Sequence, residues 1–408
     1  MNIVVGVIIG FLILMALVVV HELGHFIAAR KNGVEVEEFG IGFPPRMKAW
    51  VRNTDPKKKK KWLPLPKSEW GKKQKGLVFS LNWLPIGGFC SMKGESDSDT
   101  RPHSFGAASL WSKTKILFAG VTMNWLAAFI ILTILSWTGM PDFMDNQFIM
   151  PGDTTMDPAT VSVKSVIENS PAEKAGFKEG DQIRSAHIGN ENKDFDTANE
   201  IIEFDKEHAG KDVIYQVYRP SDNTEYSLSA QLNPDDAEYL LGISMSQDGQ
   251  ALYHSTWSAP IVAAVNTVQL TGETYRGLFN MLQSLFSGIG KQFSGDESVR
   301  TEGQSEIKVA GDSISGPVGI IGVLFPNSVA AGPTTLAFLA AVISISLACM
   351  NVLPIPALDG GRFLLIAIYR LRGKKLNKQT EEKIVSRTFI FLLILIAIVT
   401  ILDITRFF

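Results

Sequence analysis

Residues 3–20 read IVVGVIIGFLILMALVVV, and His21-Glu22-Leu23-Gly24-His25 follows without a break. An apolar run of this length is long enough to enter a bilayer as a helix, and it delivers a His-Glu-x-x-His pattern at membrane depth. On a helix, positions i and i+4 share a face. Both imidazoles therefore reach one Zn²⁺, while Glu22, one residue round, is placed to activate a water there. Two imidazoles and a carboxylate inside lipid cost several kcal/mol unless they are paired or metal-bound, so the cluster points to chemistry. The plainer alternative is that His21 and His25 only hydrogen-bond to neighbouring helices.

The 408 residues are 46% hydrophobic and 20% charged, with a mean hydropathy of +0.12. That is too apolar for an ordinary soluble enzyme and too polar to lie wholly in lipid. Hydropathy gives four spans, about Ile3–Ala28, Ile116–Trp137, Thr334–Leu353 and Thr388–Ile401. The first has no basic leader and no small-residue cleavage site before its histidines, so it reads as a retained helix.

Arg30 to Lys115 holds 18 Lys+Arg against 8 Asp+Glu, whereas Gly139 to Pro333 holds 12 against 28. By the positive-inside rule the first stretch is cytoplasmic and the acidic one lies across the membrane. The loop with Arg370, Arg372, Lys374, Lys375 and Lys378 is basic as well, and parity puts it on the cytoplasmic side. Both termini then lie outside. The Lys57–Lys61 run reads as a feature beside anionic lipid or a solvated loop tip, with no nucleic-acid partner. Cys90 and Cys349 suggest neither a disulfide nor a thiol metal site.

Two histidines leave a catalytic zinc short of a third protein ligand. Asn351-Val352-Leu353-Pro354-Ile355-Pro356-Ala357-Leu358-Asp359-Gly360-Gly361 follows the third span on the same side as the histidines. Its prolines remove helix donors and its glycines admit unusual backbone angles, interrupting a helix where a carboxylate must turn toward a metal. A simple helix-ending turn is the alternative.

With these residues in view the chain resembles the site-2 protease family of intramembrane zinc metalloproteases, in its bacterial PDZ-containing branch. The matching pieces are His21 to His25, Phe39-Gly40-Ile41-Gly42-Phe43, Pro85-Ile86-Gly87-Gly88-Phe89, Ala119 to Asn124, Ser315-Gly316-Pro317, and Asn351 to Gly361. The resemblance implies His21, His25 and Asp359 as ligands of one Zn²⁺ per chain and Glu22 as general base. By the same resemblance Asn351 would help hold the substrate or order the site, and further substrate contacts are expected at Pro354, Pro356, Gly87, Gly88 and Asn124. The family's membrane-associated β-hairpin corresponds to about Glu35 to Met92, where Asp55–Lys75 is an insertion. Ser80 to Pro85 suits an edge that pairs with an unwound substrate, and a plain cytoplasmic loop is the alternative.

Val161 to Met245 resembles a PDZ domain through Ser170-Pro171-Ala172-Glu173-Lys174-Ala175-Gly176 and Gly180-Asp181-Gln182-Ile183. Leu240-Leu241-Gly242-Ile243 resembles its carboxylate-binding loop, which would hold a peptide C-terminus; a purely steric filter fits equally. From Pro260 to Phe286 apolar residues recur every three to four, interrupted near Thr271-Gly272, which predicts a pair of amphipathic helices on the outer membrane surface. Ser294 to Asp312 reads as a loop, and Phe325-Pro326-Asn327 as a helix break.

The expected fold is a polytopic α-helical membrane protein with four transmembrane helices, a membrane-associated β-hairpin and one extracytoplasmic PDZ domain. Its segments are 1–30 (first span), 31–114 (cytoplasmic loop), 115–138 (second span), 158–246 (PDZ), 257–292 (surface helices), 293–332 (loop), 333–354 (third span) and 386–404 (fourth span). The expected function is a zinc endopeptidase of the bacterial cytoplasmic membrane, cutting single-span membrane proteins such as an anti-sigma factor or a remnant signal peptide. A metal-binding transporter would want polar residues spread along several spans, and a silent PDZ scaffold would not need Glu22.

Overall fold

The computed structural model describes residues 3–53, 61–70, 72, 74–144, 146–157, 160–189, 191–195, 197–248, 251–312 and 316–407. Of the Lys57–Lys61 run only Lys61 lies among them, and Ser315 lies outside. Among the described residues, four helices are long and apolar enough to cross a membrane: α1 (Ile3–Lys31), α2 (Leu110–Thr138), α9 (Pro333–Val352) and α11 (Lys378–Phe407). The chain divides into two compact units, Met1–Ile134 with Ala263–Phe408, and Leu135–Val262.

In the first unit α1 ends where Gly33 takes a positive φ and Val34 N–H returns to the Ala29 carbonyl, a glycine-terminated helix exit. The chain then forms β1 (Val36–Arg52), β2 (Trp62–Pro64) and β3 (Val78–Met92), in the order β2-β1-β3. The first limb of β1 is flanked by both limbs of β3, with Phe39 opposite Cys90 on one side and Phe79 on the other. Trp83 and Ile86, 63% and 61% exposed at the bend of β3, give the hairpin an apolar tip.

Residues 93–106 are anchored by a buried charge cluster. Asp97 and Lys113 are fully buried and paired, and Asp97 also receives the Leu376 N–H and Arg370. Burial alone would raise the Asp97 carboxyl, but Lys113, the Leu376 N–H and Arg370 outweigh it and hold the group below the ordinary carboxylate range.

The second unit carries β4 (Met140–Pro141), β5 (Thr155–Asp157), β6 (Thr160–Val166), α3 (Pro171–Ala175), β7 (Gln182–Ile188), β8 (Glu191–Asp194), α4 (Ala198–Glu207), β9 (Asp212–Arg219), β10 (Thr224–Gln231), β11 (Ile243–Asp248) and β12 (Leu252–His254). Its main sheet runs β10-β9-β7-β6-β11, with β8 on β7, so β11 is an edge strand; α4 lies beside it. Ser170 caps α3 by accepting the Glu173 N–H, Pro171 fills the first turn, and Gly176 ends it at φ +91°. Along β9, Val213, Tyr215 and Val217 alternate inward onto Phe177, Phe204 and Ile183. Asp181 is buried and grips the Arg219 guanidinium with both oxygens, at 2.6 and 2.7 Å.

Three expectations are corrected. The stretch read as a helix pair is one helix, α5 (Ala259–Gln292), because Thr271 Oγ1 bonds the Thr267 carbonyl a turn back and Gly272 is accommodated in the continuous turn. The stretch 293–332, read as a loop, is largely helical: α6 (Glu297–Asp312), α7 (Pro317–Gly319), a π-turn at Ile320–Leu324 and α8 (Phe325–Ala331). Asp296 caps α6 through Ser298, and Lys291 of α5 lies 2.8 Å from both Glu302 and Glu306. Pro326 does not break the helix, since the wider π-turn before it absorbs the missing N–H bond. Its other end is held by Asp403 of α11, which accepts the Gly316 and Gly319 N–H groups. The remaining helix is α10 (Asp359–Leu371).

A pH prediction follows from the second unit. Burial lifts the Asp205 carboxyl to about 6, against the partly compensating hydrogen bond from Tyr215 Oη at 2.5 Å and the charge of His208. The folded carboxyl keeps its proton to about pH 6, whereas the unfolded one releases it near about 3.9. The folded state therefore binds the extra proton in that window, and its stability falls as pH rises through it, by on the order of 2–3 kcal/mol. Calorimetry between pH 4 and 7 should show this slope in the parent chain and its loss in Asp205→Asn.

Candidate metal centre

His21 and His25 lie one turn apart on α1 and are 8% and 7% exposed. Their Nε2 atoms are 3.1 Å apart, and Asp359 Oδ2 lies 3.0 Å from the first and 3.3 Å from the second. One ligand atom from each of His21, Glu22 and His25 lies within 4.8 Å of the others. The structure thus brings together the four residues expected to carry the chemistry, across 338 positions of sequence.

α2 supplies the wall behind the histidines. His25 Nδ1–H donates to the Ile116 carbonyl at 2.8 Å, which leaves Nε2 with its lone pair facing inward. Asn124 is fully buried with its amide 3.5 Å from His21 Nδ1. Its Oδ1 has no hydrogen-bond partner as placed. The two amide ends are interchangeable in shape, and with Oδ1 toward Nδ1–H the oxygen gains a partner and the His21 tautomer is fixed. Asn124, expected at the substrate, stands beside His21, and Ser344 Oγ of α9 donates to its backbone carbonyl at 2.8 Å.

Gly120 is what lets α2 come this close. A Cβ there would stand 2.6 Å from His21 Nε2 and 2.7 Å from His25 Nε2. Gly24 on α1 answers it, lying against the Ala119 carbonyl.

Asp359 opens α10, after the turn that ends α9. Gly360 and Gly361 lie so close to the Val352 and Ile355 carbonyls that any Cβ would stand about 2 Å from them. The turn through Pro354 and Pro356 folds over the first helical turn and aims Asp359 at α1. Pro356 lines a cavity of about 540 Å³ with Asp359, Arg362 and Glu381. Pro354 is exposed, and Asn351 Nδ2 bonds back to the Leu347 carbonyl of its own helix.

Gly87 and Gly88 lie against Val18 and Val19 of α1, so β3 runs beside the turn that precedes the histidines. The Cys90 backbone N–H on β3 turns toward the Glu22 carboxylate. Burial, then the charges of Glu22 and Glu95, push the Cys90 thiol up, so it stays protonated.

The donor set suits zinc. Two imidazole nitrogens and one carboxylate oxygen face one another at 3.0–3.3 Å, close to the spacing of about 3.3 Å that tetrahedral Zn²⁺ with bonds of about 2.0 Å requires. Sequence reading missed the Ile116 carbonyl, a backbone group without a side-chain signature, and the wall formed by Gly120, although Ala119-Gly120 stood in a matched motif.

Comparison with known proteins gives the chain's relatives. The model of peptidase family M50 matches residues 9–64 and 52–396. The zinc metalloprotease RasP of Shouchella clausii is 25% identical, with 97% of this chain and 98% of that protein covered. The regulator of sigma-W protease RasP of Bacillus subtilis is also 25% identical, over 99% of each.

Gly120→Ala should weaken zinc binding at least about tenfold while leaving helix content unchanged, because the methyl occupies the space between the two imidazoles. Zinc content of purified protein, read beside its circular dichroism, checks this.

Proposed function

The chain belongs to peptidase family M50, and we propose that His21, His25 and Asp359 hold the zinc of an intramembrane endopeptidase whose general base is Glu22. The observation that carries the reading is the convergence of Asp359 Oδ2 on both histidine Nε2 atoms. Zinc, when bound, polarises the scissile carbonyl and makes water a competent nucleophile at neutral pH. Glu22 takes a proton from the attacking water and returns it to the departing amide nitrogen, so that a carboxyl and an amine leave. His25 is held by the Ile116 carbonyl and His21 by Asn124, which keeps both rings in one tautomer throughout.

Substrates are membrane proteins, and the class best suited is a single transmembrane segment, such as that of an anti-sigma factor or a remnant signal peptide. The regulator of sigma-W protease gives that reading a precedent. A helical substrate hides its amides and must first unwind. Ser80 and Leu81, expected at an edge, pair with β1 on both sides, whereas the second limb of β3, Gly88–Met92, pairs with β1 on one side only and starts beside α1, so it is the edge on which an extended segment finds backbone partners.

With four spans, the positive-inside rule supports a cytoplasmic side for the basic stretches 30–115 and 370–378, and with them for the metal end of α1 and α10, in a bacterial membrane. Both termini and residues 158–246 then lie outside, and α5, too polar to count among the spans, lies on the outer surface. We read this region as a PDZ domain, a reading that the sheet order β10-β9-β7-β6-β11 and the capped α3 support. Gly242, at φ +82°, precedes the edge strand β11 beside α4, so Leu240-Leu241-Gly242-Ile243 can receive a chain terminus. This domain screens substrates by size or by a new C-terminus.

Glu22→Gln should keep zinc and lose cleavage by at least about 10³-fold, whereas His21→Ala should lose both. Metal analysis beside a cleavage assay on a membrane-inserted substrate decides, and near-normal turnover by Glu22→Gln would sink the mechanism. For topology, single cysteines at Lys375 and Glu179, in a Cys90→Ser and Cys349→Ser background, should react with an impermeant thiol reagent from opposite faces. Labelling of both from one face would refute the four-span arrangement.

A further inference from the structure

Arg362 sits one turn after Asp359 on α10 and is held from two directions. Its Nε donates to Glu381 Oε1 of α11 at 3.1 Å, and its Nη2 donates to the Glu95 carbonyl. Glu381, only 6% exposed, accepts the Asp97 N–H with its other oxygen at 3.3 Å. Asp97 is in turn fixed by Lys113 of α2, by Arg370 at 3.1 Å and by the Leu376 N–H at 3.0 Å. The same helix α2 presents Ile116, three residues beyond Lys113, to His25. One chain of charges therefore connects the turn that bears Asp359 to the helix that braces the histidines.

Cohesion alone does not explain these groups. A buried ion pair commonly stabilises no better than apolar residues of the same size. Directional bonds do something apolar packing does not: they hold a helix turn to within a few tenths of an ångström, the tolerance of a metal ligand.

We propose that Arg362, clamped by Glu381 and the Glu95 carbonyl, is a positioning residue that sets Asp359 against His21 and His25. The proposal rests on the reading of Asp359 as a ligand given above. Arg362 acts by fixing the first turn of α10.

The test uses the full-length protein in detergent or nanodiscs. Removing Arg362 alone would strand a buried Glu381, so the variant is Arg362→Met with Glu381→Gln, whose amide oxygen still accepts the Asp97 N–H. It should keep the parent's helix content and melting midpoint. Zinc affinity, measured by competition with a chelator, should fall roughly 10–100-fold. At saturating zinc, kcat should fall with KM unchanged, and cobalt-substituted protein should show altered d–d bands. Arg362→Lys alone keeps the charge without the two-sided fork and should fall between the two. A folded double variant with the parent's zinc affinity, cobalt spectrum and kcat overturns the proposal. If the double variant does not fold, Arg362→Lys decides: parent-like affinity and kcat in a folded Lys variant overturn it equally. Asp359→Asn is run in parallel. If that variant alone binds zinc as tightly as the parent, the ligand reading fails, and not the positioning of α10 by Arg362.

Discussion

Two imidazoles and a carboxylate buried among apolar helices must satisfy one another or share a cation, and the arrangement of the helices around them answers that constraint. His21 and His25 sit in α1, otherwise uninterrupted in its apolar character, where each unpaired polar group would cost several kcal/mol. Asp359 reaches them only because α9 stops, turns through two prolines and restarts as α10 with its carboxylate at the first position. α2 approaches close enough to brace both rings because position 120 carries no side chain.

Support of the centre is divided between two kinds of interaction. Close to the rings it is neutral and short-ranged: a backbone carbonyl, a buried amide and a glycine wall. Farther out it becomes ionic, with Asp97, Lys113, Arg362, Arg370 and Glu381 knitting residues 93–106 to α2, α10 and α11. The order is physically sensible. Carboxylates other than Glu22 and Asp359 beside the ligands would compete for a metal, whereas at the polar end of the helices such groups are paired, satisfied by backbone groups and able to fix direction.

Elsewhere, the readings that failed share a cause. Residues 297–312 are polar and carry glycine and serine, so their local signal is that of a loop. They form a helix because Asp296 caps it and Lys291, on another helix, pairs with its acidic face. Thr271-Gly272 likewise looks like punctuation, yet the helix runs through it, and Pro326 is accommodated by a π-turn that no propensity rule anticipates.

What the sequence by itself determined is whatever is encoded over a few neighbouring residues. The i, i+4 spacing of His21 and His25 with Glu22 between them, the four long apolar runs, the cap and exit of α3 at Ser170 and Gly176, and the turn that delivers Asp359 all have causes within a dozen positions. What only the tertiary structure decided is which groups meet. That Asp359 Oδ2 lies about 3 Å from histidines 338 and 334 positions away, that Ile116 offers its carbonyl to His25, and that Arg362 is held by Glu381 and the Glu95 carbonyl are consequences of helix packing. The physical reason is that hydrophobic and propensity signals are short-ranged and non-specific about partners. Complementary donors and acceptors acquire their identity only when the backbone has brought them together.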